Sequence, residues 1–247
     1  MIKFIDLYKS FDHQQVLKGI NLEISDKELI TIMGKSGGGK SVLLKHIIGL
    51  LKPDSGKVLI DGIDITKLSL KELDKIRERL GVLFQGGALF DSFTVYENIA
   101  FPLREKKKLK EKEILERVML ALEDVGLRDV ENKYPGELSG GMKKRVALAR
   151  ALITEPSIVL FDEPTTGLDP VIANSIHILI KSTHEKYGYT GVIVSHEVPD
   201  IFKISDRVAM LHNGVIVEVG TPEEIENSVN PVVKQFITGS QEGPIEL

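Results

Sequence analysis

The segment that most restricts this chain is Gly34-Lys35-Ser36-Gly37-Gly38-Gly39-Lys40-Ser41. It lies between the apolar run Leu29-Ile30-Thr31-Ile32-Met33 and a helical pattern over residues 41–51, so the local order is strand, loop, helix. A helix that follows a buried strand through a tight loop belongs to an α/β fold, in which helices cover parallel strands. The loop fits the pattern GxxxxGK[ST]. Its glycines let the backbone curl until several N–H groups face one anion, and the helix start adds partial positive charge. A phosphate chain suits such a cradle, with Lys40 reaching its outer phosphates and Ser41 offering a hydroxyl to Mg²⁺.

The rest of the chain agrees with this frame. Alternation in Phe4-Ile5-Asp6-Leu7-Tyr8 and Ile20-Asn21-Leu22-Glu23-Ile24 predicts an N-terminal antiparallel layer, and Val58-Leu59-Ile60-Asp61-Gly62 a strand ending in a hairpin turn. Helix formers dominate residues 70–131, with a break of glycine and aromatic residues over 81–101, which predicts a mostly helical subdomain. The charge run over 104–113 interleaves both signs and reads as a solvated helix face. Beyond it, helices over 141–153 and 171–187 alternate with the apolar strands Ile158-Val159-Leu160-Phe161 and Gly191-Val192-Ile193-Val194, the pattern of a parallel sheet covered on both faces. A hairpin around Asn213-Gly214 follows. One domain over 1–247 is expected, with its core in 1–69 and 155–247 and a helical subdomain in 70–154.

Composition removes several function classes. A formal net charge of -4 argues against a chain devoted to wrapping nucleic acid. The absence of cysteine excludes disulfides, thiolate zinc sites and cysteine nucleophiles, and is compatible with a reducing cytosol. The N-terminus lacks the apolar core of a signal peptide. The richest apolar stretch, residues 42–51, is interrupted by Lys45 and His46 and falls short of the ~18 residues a membrane span needs, so a membrane role has to come through a partner.

Two further segments carry chemistry. Ile158-Val159-Leu160-Phe161-Asp162-Glu163 puts two carboxylates at the end of a buried-type strand, where Asp162 is placed to hold Mg²⁺ through water and Glu163 to orient or deprotonate an attacking water. Leu138-Ser139-Gly140-Gly141 starts a basic helix with a hydroxyl and two unhindered N–H groups. Lys143, Lys144 and Arg145 oppose the dipole at that helix start, a placement favoured only beside an anion.

With these motifs the chain resembles the ATP-binding cassette (ABC) ATPase subunits of transporters over nearly its whole length. The resemblance implies ATP and Mg²⁺ as cofactors and a head-to-tail homodimer around two ATP molecules. In it Ser36, Gly37, Gly38, Gly39, Lys40, Ser41 and Val42 of one chain, with Ser139, Gly140, Gly141 and Asp169 of the other, hold the nucleotide. It further implies that Phe11 stacks on adenine beside Val16, that Gln85 touches metal or water and the membrane subunit, and that His196 meets the γ-phosphate. Glu163, His196 and Gln85 are then the catalytic group, and Ser41, Gln85 and Asp162 the metal group. Met142 stands where the family usually has glutamine and Val42 where it usually has threonine, each removing a polar contact and implying altered rates rather than lost activity.

The segments Phe84-Gln85-Gly86-Gly87-Ala88-Leu89-Phe90-Asp91 and Val95-Tyr96-Glu97-Asn98-Ile99-Ala100-Phe101-Pro102-Leu103-Arg104 narrow the resemblance to the Mla type, which drives MCE-protein phospholipid transport. Met142 and the segment Asn230-Pro231-Val232-Val233-Lys234-Gln235-Phe236 are similar to that group too. The implied partners are an integral membrane permease and, as an additional candidate, a small regulatory subunit, but no nucleic acid. The implied location is the cytoplasmic face of the inner membrane. Rival expectations are an ABC ATPase for another passenger, such as an amino acid, a metal complex or a lipoprotein, and a non-transport ABC ATPase.

Overall fold

The computed structural model describes residues 1–106 and 109–246. Along the chain these form β1 (Ile2–Phe11), β2 (Gln14–Ile24), β3 (Leu29–Met33), α1 (Lys40–Ile47), β4 (Ser55–Ile60), β5 (Ile63–Asp64), α2 (Leu70–Arg77) and β6 (Leu80–Leu83). There follow α3 (Val95–Lys106), α4 (Glu111–Asp124), α5 (Gly140–Leu152), β7 (Ile158–Asp162), α6 (Pro170–Tyr187), β8 (Thr190–Ser195), β9 (Arg207–His212), β10 (Val215–Gly220), α7 (Pro222–Glu226) and α8 (Pro231–Thr238). The fold class is α/β, with an antiparallel N-terminal sheet and a mixed, mostly parallel set of strands among helices. Two compact units divide the chain, Met1–Leu73 with Thr190–Leu247 and Asp74–Tyr189.

In the first unit β1 lies between β2 and β4, antiparallel to both, with Ile2 opposite Ile24 and Ile60. The alternation expected for this layer is present, and its apolar side buries Phe4, Leu7, Ile20 and Val58. The Asp-Gly turn joins β4 to β5 with Asp61 and Gly62 at φ 49 and 79, the left-handed pair of a type I′ hairpin. β3 pairs in parallel with β8 on one side and β9 on the other. All five of its residues are buried, which is why it reads as a continuous apolar run. The buried hydroxyl of Thr31 is satisfied by Ser205 Oγ at 2.7 Å. β10 returns antiparallel to β9 across Asn213-Gly214.

In the second unit β6 and β7 pair in parallel, Leu80 opposite Ile158 and Leu83 opposite Phe161. β6 is a strand at the edge of the glycine and aromatic break expected within the mostly helical stretch 70–131. Its four residues are too few for periodicity to separate strand from helix, and pairing with β7 decides their state. The helical pattern over 70–131 otherwise resolves into α2, into α3, which begins within the glycine-aromatic break, and into α4, whose Ile114, Val118 and Leu122 are buried at helical spacing. Of the charge run over 104–113, Lys107 and Lys108 lie outside the described residues. Arg104 and Glu111 form an exposed two-pronged ion pair, with nitrogen to oxygen distances of 3.0 and 2.9 Å. No helix among the described residues is long and apolar enough to cross a membrane.

Candidate nucleotide site

The first unit builds the phosphate loop. β3 ends at Met33 and α1 begins at Lys40. Gly39 caps the helix at φ 99, and a Cβ there would lie 3.0 Å from Val16 Cγ1, so the turn into α1 requires glycine. Lys40 is buried, and its ammonium donates to the carbonyls of Gly34 and Lys35 at 2.9 and 3.2 Å. Gly38 N donates to the same Lys35 carbonyl at 3.0 Å. The buried charge is thus satisfied by the loop it shapes. Ser36 and Gly37 are exposed, while Gly38, Ser41 and Val42 are half-buried.

Because β3 and β8 run parallel with Met33 opposite Ser195, the loop and the exposed His196 leave the same end of the sheet. Phe11 presents a ring that is 40% exposed, with the Lys9 ammonium 5.4 Å from its centroid. The segment after α8 also reaches the loop: Lys35 Nζ donates to the Glu246 carbonyl at 2.7 Å. Lys35 and Glu246, with Val16, Gly37 and His212, line a cavity of about 390 Å³. Burial and, secondarily, the Lys35 charge lower the His212 pKa. Gln235, buried on α8, fixes this segment by donating to the carbonyls of Ser240 and Ile245 at 3.3 and 3.2 Å and accepting from Ile245 N at 2.7 Å.

The second unit holds the carboxylates. β7 ends at Asp162, which is half-buried, and Glu163 follows, buried and at φ 51. A left-handed glutamate is a costly backbone state that the surrounding structure must enforce. Thr166 Oγ1 donates to Glu163 Oε2 at 2.9 Å. Ser139 and Asp169 both start helices. Ser139 Oγ accepts from Met142 N at 3.3 Å, and Asp169 Oδ1 from Val171 N and Ile172 N at 3.1 Å each. Gln85 has an exposed side chain.

Sequence reasoning missed the groups that hold these residues. Lys144 Nζ donates to the main-chain carbonyls of Gln85 and Glu163, and Arg145 Nη1 to that of Val125, partners that the sequence pattern alone does not reveal. Arg150 donates to the carbonyls of Gly87 and Ala88 at 2.7 and 2.8 Å, and burial lowers its pKa. The only signal in the sequence was their helical spacing from the Leu-Ser-Gly-Gly segment. Among the described residues no group of three or more His, Cys, Asp or Glu side chains is disposed to bind a metal.

A strand, phosphate loop and helix, together with a strand ending in Asp-Glu, define a nucleotide-hydrolysing protein of the phosphate-loop class. The sequence pattern of the ABC transporter family matches residues 17–166. The chain is 47% identical over 241 residues to the probable ribonucleotide transport ATP-binding protein mkl of Mycobacterium leprae (strain TN), covering 98% of this chain and 70% of that protein. It is 42% identical over 232 residues to the intermembrane phospholipid transport system ATP-binding protein MlaF of Haemophilus influenzae, covering 94% of this chain and 88% of MlaF. Among solved structures it is similar to the dimeric post-hydrolysis state of the ATP-binding cassette MJ0796 bound to ADP and Pi. There the TM-score is 0.83 at 35% identity, over 90% of this chain and 99% of that one. The chain belongs to the ABC transporter family. It is an ATP-binding, ATP-hydrolysing transporter subunit of a kind that dimerises and works with permease subunits.

Proposed function

We propose that this subunit drives a permease that moves phospholipid in a bacterial envelope, working from the cytoplasmic face of the inner membrane as a single cassette. The observation that carries the reading is the likeness to MlaF over 88% of that protein's length. The surface expected to meet the permease is consistent with it. Exposed Phe84 and Phe90, with Phe101 and Pro102, line a cavity of about 480 Å³ suited to an apolar helix. Likeness to mkl favours a second reading, in which the passenger is a ribonucleotide. Purification with the permease, followed by mass spectrometry of what is bound, separates them: phospholipid supports the first reading, and ribonucleotide in its place supports the second.

In the proposed cycle two chains close around two ATP molecules. Residues 36–42 of one chain hold the phosphates, Ser139, Gly140, Gly141 and Asp169 of its partner complete each site, and Phe11 and Val16 receive the base and ribose. Main-chain N–H groups and Lys40 supply the charge-assisted hydrogen bonds that phosphates accept. Ser41, Gln85 and Asp162 offer oxygen donors only, a set that fits a hard cation such as Mg²⁺, whose chemistry is to neutralise charge on the outer phosphates. Glu163 orients the attacking water and takes its proton, and His196 donates to the γ-phosphate. In purified chain, Glu163→Gln is expected to bind ATP and form stable dimers without turnover, and unchanged turnover overturns the assignment.

A further inference from the structure

We infer that Lys144 is a positioning residue for ATP hydrolysis, tying the loop at Gln85 to the backbone of Glu163. The inference rests on the reading of Gln85 and Glu163 as groups of the hydrolytic site. Lys144 lies in the second turn of α5, three residues after Gly141. Only 6% of it is exposed, and its ammonium donates to two main-chain carbonyls, one belonging to Gln85 and the other, at 3.3 Å, to Glu163. These two residues are 78 positions apart in sequence, and one side chain spans them.

A buried ammonium is an expensive way to fill space. Removing it from water is unfavourable unless hydrogen bonds offset the loss, and an apolar side chain of the same length would fill the space without that cost. The acceptors explain its use. Glu163 has a left-handed backbone that needs external restraint, and a hydrogen bond to its own carbonyl supplies it. Gln85 stands at the start of a loop whose next anchors, the carbonyls of Gly87 and Ala88, are also held from α5 through Arg150. The helix that opens with the Ser139 cap therefore mounts the Gln85 loop at three carbonyls and the Glu163 backbone at one. A misplacement of about 1 Å in such groups costs on the order of a hundredfold in rate, so the mount matters for turnover more than for binding.

The test compares Lys144→Met, Lys144→Arg and Glu163→Gln in the full chain, at concentrations where turnover per chain no longer rises. Lys144→Met is expected to lower kcat about tenfold or more while KM for ATP stays within about twofold, and Lys144→Arg to recover most of the rate. Full kcat in Lys144→Met, or a KM that rises in proportion to the lost rate, overturns the inference. If Lys144→Met does not fold, Lys144→Gln, which keeps a donor but shortens its reach, is read the same way. Glu163→Gln isolates the underlying assignment. If it still turns over, that assignment falls and the inference with it, whereas an inactive Glu163→Gln beside a fully active Lys144→Met overturns the inference alone.

Discussion

Thr166 donates its hydroxyl to Oε2 of Glu163 across 2.9 Å, holding the carboxylate from its own loop. One side-chain rotamer of Glu163 is thereby favoured at a residue whose backbone is already constrained.

Loss of this hydrogen bond removes one of the contacts that orient the carboxylate. Thr166→Val is expected to reduce kcat about fivefold with KM for ATP little changed, and Thr166→Ser to restore most of it, both read in steady-state ATPase assays. An equal loss in both variants would show that packing, not the hydroxyl, matters at this position.

His46 makes acid stability a second test. Its ring is 1% exposed, Nδ1 donates to the Val42 carbonyl at 2.7 Å, and Nε2 has no hydrogen-bond partner among the described residues. Burial lowers its pKa below the usual 6.5, the Val42 carbonyl opposes that, and of the charges facing it Lys9 lowers and Asp54 raises it. The unfolded chain therefore binds the extra proton first. Stability present above about pH 6.5 is lost as pH falls from there to the native pKa, and this contribution is flat below it. Thermal melts between pH 7.5 and 5 should show a smaller drop for His46→Gln than for the parent chain, with His212 contributing a remaining slope of the same sign.

The segment after α8 offers a third. Gly243 sits at φ 149, and a Cβ there would fall 2.3 Å from the Oε1 of Gln235. Gly243→Val should expel the segment and break the 2.7 Å hydrogen bond from Ile245 N to that oxygen. Hydrogen exchange at Ile245 is expected to quicken about tenfold, the equivalent of losing roughly 1.4 kcal/mol of local protection. Gln235→Ala should do the same.

Tyr189 supplies a fourth. It is 1% exposed, and its hydroxyl meets Thr183 Oγ1 at 3.1 Å and the Ile180 carbonyl at 3.0 Å. Burial raises its pKa far above the usual tyrosine range. Tyr189→Phe keeps the ring packing against Phe161 and His184 but deletes the hydroxyl. About 1 kcal/mol should be lost, a fall in Tm of roughly 2–4 °C for a chain of this size, read by calorimetry.

Local signals made much of this legible beforehand. The run 29–33, the glycines after it and the Asn213-Gly214 turn each impose their structure through nearest-neighbour chemistry, and β3, α1 and the β9–β10 hairpin follow from them. The strand at 80–83 was not legible, because what makes it a strand is Ile158 to Phe161, more than seventy residues away. Of the site, the phosphate loop and the Asp162-Glu163 pair could be read as motifs. Lys144, Arg150 and Thr166 could not, because their roles lie in which carbonyl or carboxylate they reach, and composition carries no trace of that.

The mount on α5 has a consequence for how such a subunit can be re-matched to new partners. Its hydrogen bonds end on main-chain oxygens of Gln85, Gly87 and Ala88 rather than on their side chains. Of the exposed side chains beside them, Phe90 carries the Arg150 guanidinium 5.9 Å from its ring centroid, whereas an exchange at Phe84 leaves the fastened carbonyls in place. On the proposed reading of this face as the permease contact, a differently shaped docking helix is met by exchanging such side chains, while the hydrogen bond from α5 to the Glu163 carbonyl is kept.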